Sequence, residues 1–237
     1  MCLKPAHPRS ETLASAGPLG KGTPAVDAGT ARASVSAPWY NQAAMAIFTG
    51  RIERAIALAV RAHESQAPRK GDGQLPFIVH PVTVALILSR YTSDEDTIIA
   101  GLLHDTIEDT SVTAEEIEKA FGDKVRDTVL DVTEPDLPGL SWETRKARYL
   151  RRLQAAPRAS LLVAGADKIA NLVSIIAAAH GTAGDILWER FNAPLSVKLG
   201  FYRKVHGVIR ESWPGCPLLQ ELGNRLEEVE RKLGARI

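Results

Sequence analysis

Apolar residues recur at helical spacing along most of the chain from about residue 43 onward. Positions that repeat every three or four residues fall on one face of a helix, so each such segment predicts an α-helix with a buried side. We predict helices over residues 43–65, 80–91, 98–109, 113–122, 123–132, 141–156, 158–180, 189–212 and 217–234. Because no segment shows convincing strand alternation, the pattern predicts an all-α fold.

The hydrophobic pattern of three predicted helices indicates which of their faces pack into the core. The first carries one stripe of residues spaced for burial, namely Ile47, Ile52, Ile56, Ala59, Val60 and His63. The last carries a similar stripe, namely Leu218, Leu219, Leu222, Leu226, Val229 and Leu233. Residues 158–180 are apolar on nearly every face. That pattern predicts a helix buried on all sides by its neighbours.

Capping signals mark several helix starts. Ser93-Asp-Glu-Asp96 precedes the apolar run that begins at Ile98, and Thr113-Ala-Glu-Glu116 has the spacing of a capping box. Pro81 suits the first position of a helix, which makes His80 its N-cap neighbour. The imidazole of His80 is therefore expected to project from the start of a helix.

Residues 1–40 differ in composition from the rest of the chain. They are rich in Ala, Ser, Gly, Thr and Pro and show no sustained apolar periodicity, so we predict a mostly disordered leader. The segment is poor in acidic residues, which faintly resembles an organellar transit peptide, but it lacks the apolar region of a secretory signal. We favour a leader without a function of its own, followed by one domain over residues 41–237.

Composition and charge narrow the classes of partner. The chain has 237 residues, of which 45% are hydrophobic and 24% charged, enough for one sizeable core. A net charge of +1 disfavours broad attraction to nucleic acid or to a membrane surface. No apolar run approaches the roughly 20 residues of a membrane span, because the most apolar helix carries Asp167, Lys168 and Asn171. The cysteines, Cys2 and Cys216, form no disulfide framework, which favours the cytoplasm. The sequence leaves open whether the chain forms a homo-oligomer.

The candidate chemistry begins with His104-Asp105, followed one helical turn later by Glu108-Asp109. At a spacing of four residues, His104 would stack over Glu108 and Asp105 over Asp109. Burying these groups in an apolar helix costs several kcal/mol unless something pairs with them, and a divalent metal would do so. The alternative is an amphipathic helix with a solvated acidic end.

Two further residues complete a candidate ligand set. His80 lies at a helix start, and Asp167 lies in the middle of the most apolar helix, where a carboxylate needs a cation. With His104 and Asp105 they supply two imidazoles and two carboxylates, a set typical of manganese, iron, zinc or another borderline ion and unlike a thiolate zinc site. The small residues Ala100 and Gly101 would let neighbouring helices come close enough for these segments to meet.

The order His80, His104-Asp105, Asp167 resembles that of HD-domain phosphohydrolases, which are all-helical and metal-dependent. Three longer strings are similar to the hydrolase domain of Rel/Spo-type alarmone enzymes, above all to small single-domain members. They are Arg69-Lys-Gly-Asp-Gly-Gln-Leu-Pro-Phe-Ile-Val-His-Pro81, Leu102-Leu-His-Asp-Thr-Ile-Glu-Asp-Thr110 and Ala166-Asp-Lys-Ile-Ala-Asn-Leu172. The resemblance covers about residues 45–210. It implies a helical bundle with a buried Mn²⁺ site that removes the 3′-pyrophosphate of (p)ppGpp, giving GDP or GTP and pyrophosphate.

The resemblance also implies roles for residues around the metal. Glu108 and Asp109 would position or deprotonate the attacking water. Arg69 could stack on a purine and Lys70 could meet a phosphate, since guanidinium planes stack and ammonium groups act as point charges. The full set of expected substrate-binding residues is Arg69, Lys70, Lys168, Asn171, Arg190 and Tyr202. Structural positions are expected for His63, His180 and His206, and a solvated helix face for the basic run from Arg145 to Arg152.

One departure from the family pattern concerns the base. Many alarmone hydrolases carry Gly-Thr-Pro-Tyr where this chain has Gly73-Gln-Leu-Pro-Phe77, one residue longer and without the hydroxyl. The preference for guanine over adenine therefore stays open. Alternative substrates are pppApp and the 2′-phosphate of NADPH. A non-catalytic nucleotide-sensing module is a further alternative. Glu108 and Asp109 argue against it, because a sensor has no need to activate water.

Overall fold

Helices are the regular secondary structure of the residues that this computed structural model describes, namely 48–66, 75–134, 139–180 and 195–234. In chain order they are α1 (Gly50–His63), α2 (Val79–Leu88), α3 (Glu95–Leu103), α4 (Thr106–Asp109), α5 (Ala114–Phe121), α6 (Asp123–Val132), α7 (Trp142–Ala155), α8 (Arg158–His180), α9 (Leu195–Ser212) and α10 (Leu219–Gly234). This order confirms the all-α prediction. The predicted leader lies outside the described residues.

The predicted caps are present. The Asp94 carboxylate accepts a hydrogen bond from the Thr97 N–H at the start of α3. Thr113 and Glu116 form the capping box of α5, in which each side chain accepts from the other residue's main-chain N–H. These bonds satisfy donors that have no partner within the helix, which is why the capping segments of α3 and α5 could be identified from the sequence.

The prediction of one continuous helix over residues 98–109 is wrong. Helix α3 ends at Leu103 and the short α4 begins at Thr106. At the break, the Thr106 hydroxyl donates to the Leu103 carbonyl at 2.7 Å, and the His104 ring nitrogen Nδ1 lies 2.9 Å from the Gly101 carbonyl oxygen. Side chains thus bind carbonyls near the end of α3, as polar side chains commonly do where they compete with a helix ladder. The predicted stacking of His104 over Glu108 required one continuous helix, so the break removes its basis.

Other boundaries differ by a few residues. Helix α2 begins at Val79, so Pro81 is its third residue, where the absence of an N–H still costs nothing. Val60, predicted on the buried stripe of α1, is 45% exposed, whereas Ile52 and Ala59 are buried. On α10, the predicted stripe is confirmed by burial of Leu218, Leu222, Leu226 and Val229.

Helix α8 is the centre of the bundle and packs against α2, α3, α6, α9 and α10. Residues 161–170 are buried without interruption, which confirms the prediction from their apolar composition. The close approach of α2 and α3 depends on Gly101, where an added Cβ would lie 2.3 Å from Leu88 Cδ1. This contact confirms the expectation that small residues bring the helices of the site together.

The prediction that no apolar run reaches the length of a membrane span is wrong. One described helix has the length and the apolar composition of such a span. Residues Arg158–Ala178 form a helical stretch of 21 residues with a mean hydropathy of 1.7. In this fold, 61% of that stretch is buried inside the protein. Its apolar character is therefore accounted for by its place at the centre of the bundle, since the core helix of a domain meets the same criteria.

Candidate metal and active site

His80 and His104 bring two imidazoles to one point between α2 and α3. His80 lies in the first turn of α2 and His104 directly follows α3, and each residue is 4% exposed. The Nε2 atom of His104 lies 3.0 Å from Asp105 Oδ1, and that of His80 lies 3.6 Å from Asp105 Oδ2. One donor atom from each of the three residues lies within 4.8 Å of the others, a spacing suited to a metal ion.

Asp167 reaches the same point from the middle of α8. Its Oδ1 atom lies 3.2 Å from His80 Nε2 and 3.8 Å from His104 Nε2. The four predicted ligands thus converge from three segments of the chain. A set of two imidazoles and two carboxylates suits a borderline divalent cation.

The state of His104 supports this interpretation. Its Nδ1–H donates to the Gly101 carbonyl at 2.9 Å, which leaves the Nε2 lone pair directed away from that bond. Nε2 is buried and lies 3.0 Å from Asp105 Oδ1, but it has no partner among the described residues that meets the geometry of a hydrogen bond. Buried polar atoms rarely lack a partner, and metal-binding histidines usually anchor the other ring nitrogen in this way. The residues present therefore fit a divalent cation.

The electrostatics of the cluster favour positive charge. Burial lowers the pKa of His104, but the nearby carboxylates of Asp105 and Asp167 outweigh it and raise that pKa to about 9. Burial raises the pKa of Asp105, but the His104 and His80 imidazoles outweigh it and bring that pKa down to about 2. A proton held on His104 occupies the place of a cation, so metal and proton compete for this site.

Asp167 is held in place by its own neighbours. Lys168 Nζ forms an ion pair with Asp167 Oδ2, and Asn171 Nδ2 donates to Oδ1. Despite burial, the charge of Lys168 holds the pKa of Asp167 well below its ordinary value. The Lys168 ammonium also lies 5.5–5.7 Å from the ring centroids of Tyr149, Phe201 and Tyr202. Lys168 and Asn171, which were expected near ribose and phosphate, therefore orient the Asp167 carboxylate, a candidate metal ligand.

A cavity of about 240 Å³ opens over the cluster. Its walls include the four candidate ligands together with Glu108, Asp109, Lys168 and Asn171, all predicted from the sequence. Tyr202 is not among the lining residues; it is buried and packs beneath Lys168. The cavity walls also contain residues that the sequence did not single out for the site, namely Glu134, Lys146, Tyr149, Val132, Val163 and Ala164.

Lys146 corrects one interpretation of the basic helix. The run from Arg145 to Arg152 was expected to be a solvated face, yet Lys146 lines the cavity and forms an ion pair with Glu134. Its ammonium lies 4.6 Å from the ring centroid of Phe201. The available signal was the spacing of Lys146, Tyr149 and Leu153, which places a lysine on the buried face of α7.

Glu108 stands at the edge of this cavity. Its Oε2 atom accepts a hydrogen bond from the Glu134 main-chain N–H at 2.9 Å. The side chain faces solvent in the cavity, yet burial of the carboxylate, reinforced by the negative charges of Asp105, Glu134 and Asp109, raises the pKa of Glu108 to about 7. A carboxyl group poised near neutrality in a cleft beside a candidate metal site is suited to proton transfer.

Phe77 connects the cavity to α1. Its ring stacks on His63 with a centroid distance of 4.5 Å and meets His80 edge-on at 6.3 Å. His63 is 4% exposed, which confirms its predicted place on the buried stripe of α1. Arg69, Lys70 and Arg190 lie outside the described residues, and their predicted contacts with substrate stay predictions.

The bundle and its histidine–aspartate cluster define an all-α domain built around a candidate metal site. The family model described as the HD domain matches residues 55–201, more than half of the sequence. The chain belongs to the HD domain family.

Curated relatives extend the comparison. The chain is 35% identical over 157 residues to the guanosine-3′,5′-bis(diphosphate) 3′-pyrophosphohydrolase of Aquifex aeolicus, covering 64% of this chain and 22% of the relative. It is 42% identical over 86 residues to the bifunctional (p)ppGpp synthase/hydrolase SpoT of Escherichia coli, covering 36% of this chain and 12% of the relative. The resemblance to Rel/Spo-type proteins is thereby confirmed. The chain spans about a fifth or less of the length of these relatives.

Solved structures share the fold. A solved structure of a metazoan ortholog of SpoT that hydrolyzes ppGpp superposes with a TM-score of 0.62 at 24% identity, covering 79% of this chain and 97% of the other. A crystal structure of a Listeria monocytogenes protein superposes with a TM-score of 0.56 at 28% identity, covering 66% and 96% of the two chains.

Proposed function

We propose that this chain hydrolyses the 3′-pyrophosphate of (p)ppGpp, giving GDP or GTP and pyrophosphate. The observation that carries the proposal is the convergence of His80, His104, Asp105 and Asp167 on one cavity whose edge carries Glu108 and Asp109. The names of the Aquifex and Escherichia relatives supply the substrate class.

We infer that the resident cation is Mn²⁺, held by the two imidazoles and two carboxylates. Mixed nitrogen and oxygen donors support a borderline divalent ion. When bound, the ion would supply Lewis acidity toward a phosphate oxygen and toward water. Lys168 and Asn171 keep the Asp167 carboxylate turned toward the histidines, which supports a preorganised site.

Glu108 takes the role of general base in this proposal. Its pKa of about 7 means that a large fraction of the carboxylate is ionised near neutral pH and still basic enough to accept a proton from water. The hydrogen bond from the Glu134 N–H fixes one carboxylate oxygen. Asp109, on the same turn, would orient the water or the leaving group. A carboxylate in this role typically contributes about 10²–10⁴-fold in rate.

Substrate contacts are assigned by charge and position. Lys146 and Lys168 bring ammonium groups to the wall of the cavity. We propose that Arg69 and Lys70 meet the purine and a phosphate, and that Arg190 lies at the far side of the pocket. Phe77 offers an apolar ring without a hydroxyl, so base selection must come from other hydrogen bonds. A cytoplasmic location is part of the proposal, supported by the buried free thiol of Cys216.

The direct test is a substrate panel. Purified protein is incubated with ppGpp, pppGpp, pppApp and NADPH, with Mn²⁺ or after treatment with a chelator, and the products are separated by chromatography. We expect Mn²⁺-dependent release of pyrophosphate from ppGpp with GDP as the second product. Phosphate release from NADPH in preference would instead support the phosphatase alternative. Binding of nucleotides without turnover in the presence of Mn²⁺ would support a sensing module.

A further inference from the structure

The end of α1 is tied to the turn that carries Glu108 and Asp109. Gln66 Nε2 donates to the Asp109 main-chain carbonyl at 2.7 Å. Gln66 Oε1 lies 2.9 Å from His63 Nδ1. Because the Gln66 amide nitrogen is directed at a carbonyl, its oxygen must accept, and His63 Nδ1 carries the proton that it donates. A hydrogen-bonded chain thus runs from His63 through Gln66 to Asp109.

The same histidine also contacts the metal side of the site. The His63 ring stacks on Phe77, and Phe77 meets the candidate ligand His80 edge-on. His63 is buried, and its Nε2 atom has no hydrogen-bond partner among the described residues. Keeping a buried polar atom unpaired costs free energy. An apolar side chain would fill the space beside Phe77 at less cost, so the Nδ1 bond to Gln66 is the feature that requires a histidine.

Helix α4 needs an external support of this kind. It comprises only the four residues Thr106–Asp109. Isolated helical segments this short are far from stable, because the first turn fixes several residues for one hydrogen bond. The helix against which α4 chiefly packs is α1. The position of Glu108 and Asp109 relative to the metal ligands therefore depends on contacts such as the one from Gln66.

We propose that His63 and Gln66 are positioning residues: together they clamp the Asp109 main-chain carbonyl and hold Glu108 and Asp109 against the metal site. The inference rests on the proposed function, because it assigns the clamped turn to water activation. Neither side chain need touch substrate. Their contribution is geometric, and misplacement of a catalytic group by about 1 Å can cost on the order of 10²-fold in rate.

The first variant is Gln66→Glu in the full chain. It keeps the shape of the side chain but replaces the donor amide with a carboxylate that faces a carbonyl oxygen. Gln220→Glu makes the same chemical change at an exposed position of α10 and serves as the control. We expect kcat for ppGpp to fall by roughly 10-fold or more. KM and the affinity for Mn²⁺ should match those of the control, because the clamp does not touch a ligand atom.

Hydrogen–deuterium exchange gives a readout that needs no substrate. The Asp109 and Thr110 amides, bonded to the Asp105 and Thr106 carbonyls, should exchange faster in Gln66→Glu than in Gln220→Glu, while α8 is unchanged. Unchanged exchange and unchanged kcat would overturn the clamp. Equal loosening of α8, with loss of Mn²⁺ affinity, would overturn it in favour of a general structural role. If the wild-type protein hydrolyses no nucleotide, the proposed function fails, and exchange at Asp109 and Thr110 still decides whether the clamp exists.

His63→Phe tests the other half of the pair. Phenylalanine keeps a ring beside Phe77 but cannot donate to Gln66. If the two residues act as one unit, the double variant His63→Phe/Gln66→Glu should be no slower than the slower single variant, since coupled residues do not add. Additive losses in kcat would show that His63 and Gln66 act separately and would overturn the paired arrangement.

Discussion

Asp167 Oδ1 lies 3.2 Å from His80 Nε2, although the two residues belong to different helices far apart in the chain. The contact exists because α2 and α8 pack directly on one another. Asp167 therefore faces the candidate ligand His80 with one oxygen and the Lys168 ammonium with the other. If Asp167 is a metal ligand, this one carboxylate both holds the cation and balances the buried charge of Lys168.

Asp167→Ala should abolish tight Mn²⁺ binding and also destabilise the fold. The metal is lost because one of four ligands is removed. Stability falls because Lys168, 9% exposed, is left buried without its carboxylate, a change that typically costs about 3–5 kcal/mol. Elemental analysis after gel filtration measures the metal, and urea unfolding measures the free energy.

The double variant Asp167→Ala/Lys168→Met separates these two effects. Removing the unpaired ammonium should restore much of the unfolding free energy, because the uncharged side chain of a methionine can pack against the rings of Tyr149, Phe201 and Tyr202. Mn²⁺ binding should stay absent. A full complement of Mn²⁺ in Asp167→Ala would show that this carboxylate is not a ligand.

Glu108→Gln should lower kcat strongly, by roughly 10²-fold or more, with little change in KM. The amide keeps the size of the side chain but cannot accept the proton of the water, so the lost interaction belongs to the transition state. Steady-state kinetics with ppGpp provides the measurement, and Glu227→Gln on the exposed side of α10 is the matched control. A change confined to KM would make Glu108 a substrate-binding residue.

The pH dependence of activity should report the same carboxylate. Glu108 must be ionised to act as a base, so kcat/KM should rise with pH through a midpoint at or below its pKa of about 7 and then level off. A bound cation lowers that pKa, which is why the midpoint can fall below 7. The residual activity of Glu108→Gln should lack this acid limb. An identical limb in the variant would assign it to another group.

Glu108 also affects stability in the cation-free protein. Its pKa is raised from 4.5 to about 7 in the folded state, so between these values the folded state holds a proton that the unfolded chain has released. The free energy of unfolding should therefore fall as pH rises from 4.5 to 7. Glu108→Gln should flatten this part of the profile. Urea unfolding at closely spaced pH values, with chelator present, measures the difference between the two proteins.

Local signals explain why much of the bundle could be predicted. The capping box of α5, the limits of α6 and the continuous burial of residues 161–170 in α8 all follow from residues within the element itself. The break between α3 and α4 does not. Hydrophobic spacing continues across it, and the decisive bonds are those of His104 and Thr106 to carbonyls of α3. Propensity and periodicity cannot distinguish a helix from two helices that such bonds separate.

The residues of the site likewise divide into those that the sequence predicts and those that only the folded structure reveals. The convergence of His80, His104, Asp105 and Asp167 was predicted from their polarity in apolar segments and from the family resemblance. Lys146 lines the cavity but was missed because a lysine in a basic run is usually solvated, although its spacing from Tyr149 and Leu153 places it on the buried face of α7. Gln66 was missed because its partner is a main-chain carbonyl, which any residue at position 109 would supply.

The approach of α2 to α3 at Gly101 should control both stability and metal affinity. An alanine there would place its Cβ 2.3 Å from Leu88 Cδ1, and Leu88 is fully buried, so either its side chain or the two helices must shift. His80 belongs to α2 and His104 directly follows α3, so each histidine is carried by one of the two helices that meet at this contact. Overpacking of this kind typically costs about 1–3 kcal/mol. We expect Gly101→Ala to lower the melting temperature and weaken Mn²⁺ binding.

Two further variants make this last prediction specific. Gly207→Ala adds the same methyl group within α9, where an added Cβ would meet nothing within 4 Å, and should stabilise the protein slightly because alanine favours helices. Gly101→Ala/Leu88→Val shortens the side chain that collides and should recover part of the Mn²⁺ affinity. Calorimetry with Mn²⁺ on all four proteins decides the matter. If Gly101→Ala binds Mn²⁺ as tightly as wild type, the spacing of α2 and α3 does not set the geometry of the ligands.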